Sequence, residues 1–284
     1  MNRVKPEMDA PVEPKPRPKA KAKTKAKPVA MLFDQYGNLQ VPEHFKIPGY
    51  DIAVIPDFLS YIGSSVKHQD IWDYIMGLEA YDDDEELELT DGWNPKLLRG
   101  SHPALNYRGN PIGRHKVWLQ TDYDQGLKRY GYTGWQWRVS LAQCRMESIP
   151  LINQVTRDIN AMFGMEPLNH AIVTVYQNGE DNIGAHSDKN GDFNPNTGFI
   201  VLKLGHARRF QFLDNGVVFY DKEVPAGTAV LVSGEANITT KHAVPRDTKC
   251  HSESGSIVWR SIGTTFSWAT VLRNIKKSMY KRRV

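Results

Sequence analysis

The chain has 284 residues, of which 40% are hydrophobic, and a formal net charge of +4. It is long enough for one large domain with a substantial core. No apolar run approaches the roughly 18 residues that a membrane-spanning helix needs. The N-terminus lacks the apolar core of a signal peptide, and two distant cysteines do not form a disulfide framework. We therefore expect an intracellular protein with no membrane partner, in either the nucleus or the cytoplasm.

The basic charge is concentrated at the two ends of the chain. Residues 1–28 carry a net +6, residues 273–283 carry another +6, and the segment between them carries −8. Residues 1–30 are rich in Lys, Pro and Ala and have almost nothing to bury, so we expect a disordered tail. Basic ends of this kind either bind a polyanion through its phosphates or act as solvated tails, and both interpretations stay open here.

Helical patterns come first along the chain. Apolar positions between 55 and 79 recur at helical spacing and predict one or two helices, broken around Gly63 and Gln69. The acidic run at 82–88 is typical of a solvated loop. A further helix is predicted from Pro150 to about Phe163, with Ser148 as its cap and Gly164 at its end.

The rest of the chain has the pattern of a β protein. Short apolar or alternating runs separated by Gly, Asn and Asp predict antiparallel strands, and their number suits a double-sheet barrel. The predicted fold class is α+β, mainly β, with a double-stranded β-helix (jelly-roll) core and supporting N-terminal helices.

Three side chains in this β region have the chemistry of a metal site. His186 and Asp188 project to the same side of an extended segment, because they are two residues apart. His242 is predicted to lie just past a strand and to complete the set from across the barrel. Two imidazoles and one carboxylate can occupy one face of Fe(II) and leave positions for a cosubstrate and dioxygen.

Arg260 lies in the last apolar strand. A guanidinium that faces a barrel interior needs an anionic partner, because an unpaired buried charge is costly. A dicarboxylate that chelates the metal at its other end is one candidate, and an ion pair with one of the chain's acids is the alternative.

Aromatic and basic side chains alternate before the metal residues, between positions 116 and 138. Such a segment can stack on bases and contact phosphate, as expected of a lid over a single-stranded or flipped nucleotide. For any single ring of the segment, packing in the core is the favoured explanation. The aromatic residues that we predict to contact substrate are Trp118, Tyr130, Tyr132 and Trp135.

From about Arg114 to Trp268 the chain resembles the AlkB-like family of Fe(II)- and 2-oxoglutarate-dependent dioxygenases. The matched stretches are YGYTG at 130–134, the turn and HSD at 178–188, LGHARRFQF at 204–212 and VPAGTAVLVSGEANITTKHAVP at 224–245. The resemblance implies iron held by His186, Asp188 and His242. It also implies that 2-oxoglutarate is held by Arg260 with help from Tyr176.

The resemblance implies an activity and a domain organisation as well. Dioxygen oxidises 2-oxoglutarate to succinate and carbon dioxide while a substrate carbon is hydroxylated, and a hydroxylated N-methyl group leaves as formaldehyde. Residues 31–284 would form one domain, with helical support and the lid at 31–145, the catalytic jelly roll at 146–270 and a basic tail at 271–284.

The chain also departs from the family pattern. Thr174 stands where an Asn is common two residues before Tyr176. Counted forward from Arg260, the pattern Arg-x-Asn-x-Thr-x-Arg places Ile262 at the Asn position, Thr264 at the Thr position and Phe266 at the second Arg. We expect Thr174 and Thr264 to contribute to cosubstrate binding.

The predicted substrate contacts are completed by Asn190 and Arg208. Asn190 is neutral where many nucleobase demethylases of the family have an acid, which lowers the affinity expected for a positively charged base. The leading hypothesis is oxidative demethylation or hydroxylation of modified nucleobases in DNA or RNA, as in DNA repair, by a monomer that uses dioxygen. The same chemistry on a protein side chain or small molecule, and a binding module without turnover, are the alternatives.

Overall fold

The computed structural model describes residues 31–106, 110–121, 128–129 and 134–280. Within these ranges the protein is a mixed α/β structure in which strands dominate. No helix there combines the length and the apolar character that crossing a bilayer requires. The α-helices are α1 (Phe58–Tyr61), α2 (His68–Met76), α3 (Pro150–Phe163), α4 (Gly234–Thr239) and α5 (Trp268–Tyr280), and 3-10 helices lie at Glu43–Phe45, Gly134–Ala142 and Met146–Ser148.

The larger of the sheets has seven strands. Neighbouring strands run antiparallel, except for the last pair, which is parallel. In spatial order the strands are β1 (Ile52–Ile55), β10 (Ala229–Val232), β7 (Phe199–Gly205), β12 (Ser254–Arg260), β5 (His170–Tyr176), β2 (His115–Gln120) and β4 (Gln143–Arg145).

A second sheet has four antiparallel strands, in the order β6 (Ile183–His186), β11 (Thr240–Val244), β8 (Arg208–Asp214) and β9 (Val217–Val224). Asn215 and Gly216 connect β8 to β9 with φ angles of 49° and 84°, as a two-residue hairpin with both central residues at positive φ requires. A short pair is formed by β13 (Phe266–Ser267) and β3 (Lys128–Arg129).

The two sheets face each other across an apolar interior. Along β7, Ile200 and Leu202 belong to the main core cluster with residues of α3, whereas Phe199 and Val201 cluster with Phe212 of the smaller sheet. Both faces of β7 are thus covered, which explains why this strand reads as an almost continuous apolar run. The arrangement is consistent with a β-sandwich or jelly roll.

The predicted helices are confirmed, with three differences. The helix from Pro150 to Phe163 has the predicted bounds, and Gly164 ends it with a φ of 83°. Ser148 was wrongly predicted to be its cap: the Ser148 hydroxyl donates to the Arg145 carbonyl at 2.6 Å, and Ile149 precedes the helix without a side-chain cap. The 55–79 region forms α1 and α2 with the predicted break at Gly63, but the break predicted at Gln69 was wrong because Gln69 lies inside α2. The region also starts at the last residue of β1.

Gly164 and Gly216 provide a matched test of packing at the end of α3. Their φ angles are 83° and 84°, but a Cβ at Gly164 would lie 2.0 Å from the Phe33 carbonyl oxygen, while one at Gly216 would have no neighbour within 4 Å. Gly216→Ala is expected to cost about 1 kcal/mol of unfolding free energy from backbone strain. Gly164→Ala is expected to cost at least about 2 kcal/mol, because a clash is added. Urea denaturation measures both, and equal losses would contradict this account of Gly164.

Candidate metal centre

The structure brings His186, Asp188 and His242 together. One ligand atom of each lies within 4.8 Å of the other two, and no other group of three His, Cys, Asp or Glu side chains in the described ranges meets this condition. Two donors on one metal ion lie at most about 4–5 Å apart, so a single ion could bind all three. His186 ends β6, and Asp188 follows two residues later.

His242 reaches the group by a different route from the predicted one. It lies inside β11, not past a strand, and its Cα is the register partner of His186 on β6. The two imidazole rings have centroids 4.3 Å apart. His242 is therefore brought to His186 by the pairing of adjacent strands and does not approach from the opposite side of the barrel. The predicted position of His242 was wrong, but the prediction that it lies beside His186 and Asp188 was correct.

The local contacts of His186 prepare it to bind a metal. Its Nδ1 lies 2.9 Å from the Gly184 carbonyl oxygen. A carbonyl can only accept, so Nδ1 carries the proton and Nε2 keeps its lone pair. That Nε2 lies 3.7 Å from Asp188 Oδ1 and faces the common centre.

The pKa values of both histidines favour neutral imidazoles, which metal binding requires. Burial lowers the pKa of His242 to about 4, although the nearby Asp188 carboxylate acts in the opposite direction. Burial also lowers the pKa of His186, again against the effect of Asp188.

Asp188 is held by two neighbours. Its backbone N–H donates to Asn237 Oδ1, and Asn237 Nδ2 donates back to the Asp188 carbonyl, both at 2.9 Å. Asn237 is 3% exposed and lies on α4, which begins at the Ser233 cap. Asn237 was not predicted from the sequence, because nothing in the local pattern links it to a residue 49 positions away.

The second neighbour of Asp188 is Arg260, whose Nη2 lies 2.6 Å from Asp188 Oδ2. Burial raises the pKa of Asp188, but the charge of Arg260, the electrostatic effects of His242 and His186 and the hydrogen bond from Arg260 outweigh it, so the pKa is lowered. The carboxylate therefore stays ionised, with Oδ1 directed toward His186. Arg260 has the anionic partner that its burial requires, and that partner is Asp188, which is the ion-pair alternative of the sequence analysis.

A narrow cavity of about 60 Å³ adjoins the three residues. This is room for a few water molecules or a small acid, and not for a nucleobase. Thr174 and Tyr176, both predicted to bind cosubstrate, lie on its wall. So do the cations Arg114, Lys116 and Arg260, against the single carboxylate of Asp188. Burial, followed by the charges of Arg114 and Arg260, lowers the pKa of Lys116 to about 7.

One predicted cosubstrate residue lies elsewhere. Thr264 is exposed, and its backbone N–H donates to the Asp192 carbonyl. It is not among the residues that line the cavity: β12 ends at Arg260, and the positions of this strand that reach the wall are Ser256, Val258 and Arg260. The prediction that Thr264 contributes to cosubstrate binding, which came from counting the family pattern forward from Arg260, was therefore wrong.

The predicted substrate residues are dispersed. Arg208 is 1% exposed and donates to the carbonyls of Asn178, Asp181 and Pro245, which is a structural role and a correction to its predicted one. Trp118 is 2% exposed and belongs to an apolar cluster with Ile172, so its ring is not open to a base.

The remaining predicted substrate residues lie outside the cavity or outside the described side chains. Asn190 is exposed and lines a separate groove of about 360 Å³. Trp135 lies in the 3-10 helix Gly134–Ala142. Tyr130 and Tyr132 lie outside the described residues.

No protein-family model matches the chain, and no curated protein matches its sequence. Among solved structures, the chain is similar to one titled "The structure of OsALKBH1", with 14% sequence identity and a TM-score of 0.47. That likeness covers 76% of this chain and 100% of the other. A likeness at this level carries no functional assignment.

Proposed function

We propose that this protein is an Fe(II)- and 2-oxoglutarate-dependent dioxygenase of the AlkB-like kind, built on a double-stranded β-helix. The observation that carries the proposal is the convergence of His186, Asp188 and His242 beside a cavity with an excess of cations. Two imidazoles and one carboxylate suit Fe(II) and leave coordination positions free, as oxygen chemistry requires. Cationic walls suit a small carboxylic acid as the second ligand.

The residues of the chain would hold the metal and its ligands in position. When bound, Fe(II) would supply the redox chemistry that couples oxidation of 2-oxoglutarate to hydroxylation of a substrate carbon. His186 and His242 are neutral and can each donate a nitrogen lone pair to the metal. Asn237 and Arg260 fix the orientation of Asp188. The apolar wall residues Val201, Phe210 and Val258 limit the water that reaches the centre.

For the substrate we propose a modified nucleobase in single-stranded or flipped form. The support is the aromatic and basic segment before the metal residues together with the two basic ends of the chain. The cavity's small volume requires the target group to be presented at its mouth and not enclosed in it. A protein side chain or small molecule is the second candidate, favoured by the neutral Asn190 and by the burial of Trp118 and Arg208.

The test is turnover by the full chain with Fe(II), ascorbate and 2-oxoglutarate, on matched panels of methylated single-stranded oligonucleotides and methylated peptides. We expect succinate to form and oligonucleotides to lose a methyl group as formaldehyde, both measured by mass spectrometry. Methyl loss from peptides alone would move the assignment to the second candidate. Absence of succinate with every substrate would contradict the dioxygenase assignment.

A further inference from the structure

Strand β7 places a lysine inside the protein. Lys203 is 1% exposed, and its Nζ has no hydrogen-bond partner among the described residues. Because side chains alternate along a strand, Lys203 is on the same face as Phe199 and Val201, which is the face toward the smaller sheet. A cation in this interior position needs a structural or functional reason.

The surroundings of Lys203 do not neutralise it. Its Nζ lies 5.7 Å from the ring centroid of Tyr176 and 5.8 Å from that of Phe210. Ring faces attract an ammonium only weakly compared with the hydration that burial removes. Burial, and then the charge of Arg208, lowers its pKa to about 8, so it is still mostly protonated at neutral pH. An anion is what would compensate the charge.

The register of the large sheet shows where such an anion could lie. Lys203 is opposite Ser256, Ser256 is opposite Thr174, and Thr174 is opposite Lys116. Cross-strand partners share a face, so these four form one row of polar side chains across four strands. Lys116, Thr174 and Ser256 line the cavity of the metal centre.

Two wall residues of the cavity link Lys203 to the metal residues. The Phe210 ring, whose centroid is 5.8 Å from Lys203 Nζ, stacks on the His242 ring with centroids 6.0 Å apart. Phe210 lines the cavity, and so does Tyr176, the other ring near Lys203 Nζ. Lys203 therefore lies directly behind the cavity wall that carries Ser256 and Thr174.

We propose that Lys203 is the counter-cation of the distal carboxylate of 2-oxoglutarate, with the hydroxyls of Ser256 and Thr174 beside it; this assignment rests on the proposed function. The arginines nearby have partners. Arg260 pairs with Asp188, and Arg208 donates to three carbonyls. Arg114 donates to the Asn182 carbonyl. Lys116, at the far end of the row, has a pKa near neutrality and carries less charge.

The assignment predicts that Lys203 selects for a dicarboxylate. The test compares 2-oxoglutarate with 2-oxopentanoate, which has the same five-carbon chain with a methyl group in place of the distal carboxylate. Calorimetry on the full chain loaded with Mn(II) under anaerobic conditions measures binding without turnover. Lys203→Met is expected to weaken 2-oxoglutarate binding at least about 30-fold, as loss of one partner of a buried ion pair does. It should leave 2-oxopentanoate binding within about twofold of wild type, because that ligand has no distal carboxylate to pair with Lys203.

Controls separate this role from a structural one. Lys222→Met removes an exposed lysine of β9 and should change neither affinity. Lys203→Arg keeps the charge and should retain the preference for the diacid. The metal-free Lys203→Met protein should melt at the same or a higher temperature than wild type, because an unpaired buried charge is removed.

Two results would overturn the assignment. Unchanged 2-oxoglutarate affinity in Lys203→Met would show that the ammonium does not contact the ligand. Equal weakening of both acids would show a general effect on the cavity. Failure of the proposed function gives a different result, since the Mn(II)-loaded wild type would then bind neither acid.

Discussion

Asp188→Ala is expected to abolish both retention of iron and consumption of 2-oxoglutarate. Asp188 supplies the only carboxylate of the donor group and balances Arg260 within the same cavity. Loss of a residue that merely orients a metal ligand typically costs 10–100-fold in metal affinity or activity, so loss of the ligand itself should cost at least about 100-fold. Metal content after dialysis and succinate formation, measured by mass spectrometry, report the two effects separately.

Glu223→Ala is the control for that variant. Glu223 is an exposed acid on β9, so its removal changes the net charge equally without touching the centre. It should retain iron and turnover. If Asp188→Ala kept its iron and consumed 2-oxoglutarate at the wild-type rate, the metal assignment would be wrong.

Arg260→Met is expected to destabilise the metal-free protein by about 3–5 kcal/mol, the usual cost of removing one partner of a buried ion pair. The reason is the Asp188 carboxylate, whose side chain is 7% exposed and would lose its nearest cation. A bound divalent ion replaces that charge, so Mn(II) should restore most of the loss. Urea denaturation with and without Mn(II) measures both quantities.

The structure offers an exposed ion pair as the comparison. Arg209 and Asp221 pair with a nitrogen–oxygen distance of 2.5 Å, but their side chains are 46% and 34% exposed. Solvent screens such a pair, so Arg209→Met should change stability little and respond little to Mn(II). A similar loss in both arginine variants, or no recovery with Mn(II) in Arg260→Met, would show that Arg260 does not compensate the metal carboxylate.

The parts of the fold that could be predicted are those with a local signal. The helix from Pro150 to Phe163 combines an apolar periodicity with a first-turn proline and a terminal glycine, and its bounds match. The β region is marked by short apolar runs, and RRFQFLD corresponds to Arg208–Asp214 of β8 without a shift. The spacing of His186 and Asp188 also places two donors on one side from sequence alone.

What could not be predicted depends on tertiary packing. Arg208 and Arg209 are adjacent and chemically alike, yet one is 1% exposed and the other lies at the surface, because only the first points between the sheets. Lys203 within FIVLKLG gives no sign of burial, since a lysine in an apolar run usually marks a solvent-facing position. Only the pairing of β7 with β12 reveals its position opposite Ser256.

The position of Arg260 shows how strand ends limit sequence patterns. The residue was correctly placed in the last apolar strand, but the sequence does not tell whether it starts or ends that strand. The structure makes it the final residue of β12, so the wall positions of this strand are Ser256, Val258 and Arg260 itself, and Thr264 lies beyond the strand. Strand ends depend on neighbouring strands, here β5 and β7, and those are distant in sequence.

The pairing of His186 with His242 has a consequence for how the protein assembles. Among the described strands, β6 is at the edge of the four-stranded sheet and pairs only with β11, through two register positions separated by an irregularity. An ion bound by both histidines would link the edge strand β6 to its neighbour β11. Metal binding would then also strengthen the pairing of β6 with β11, so that the metal centre and the edge strand of the sheet would become ordered in one step.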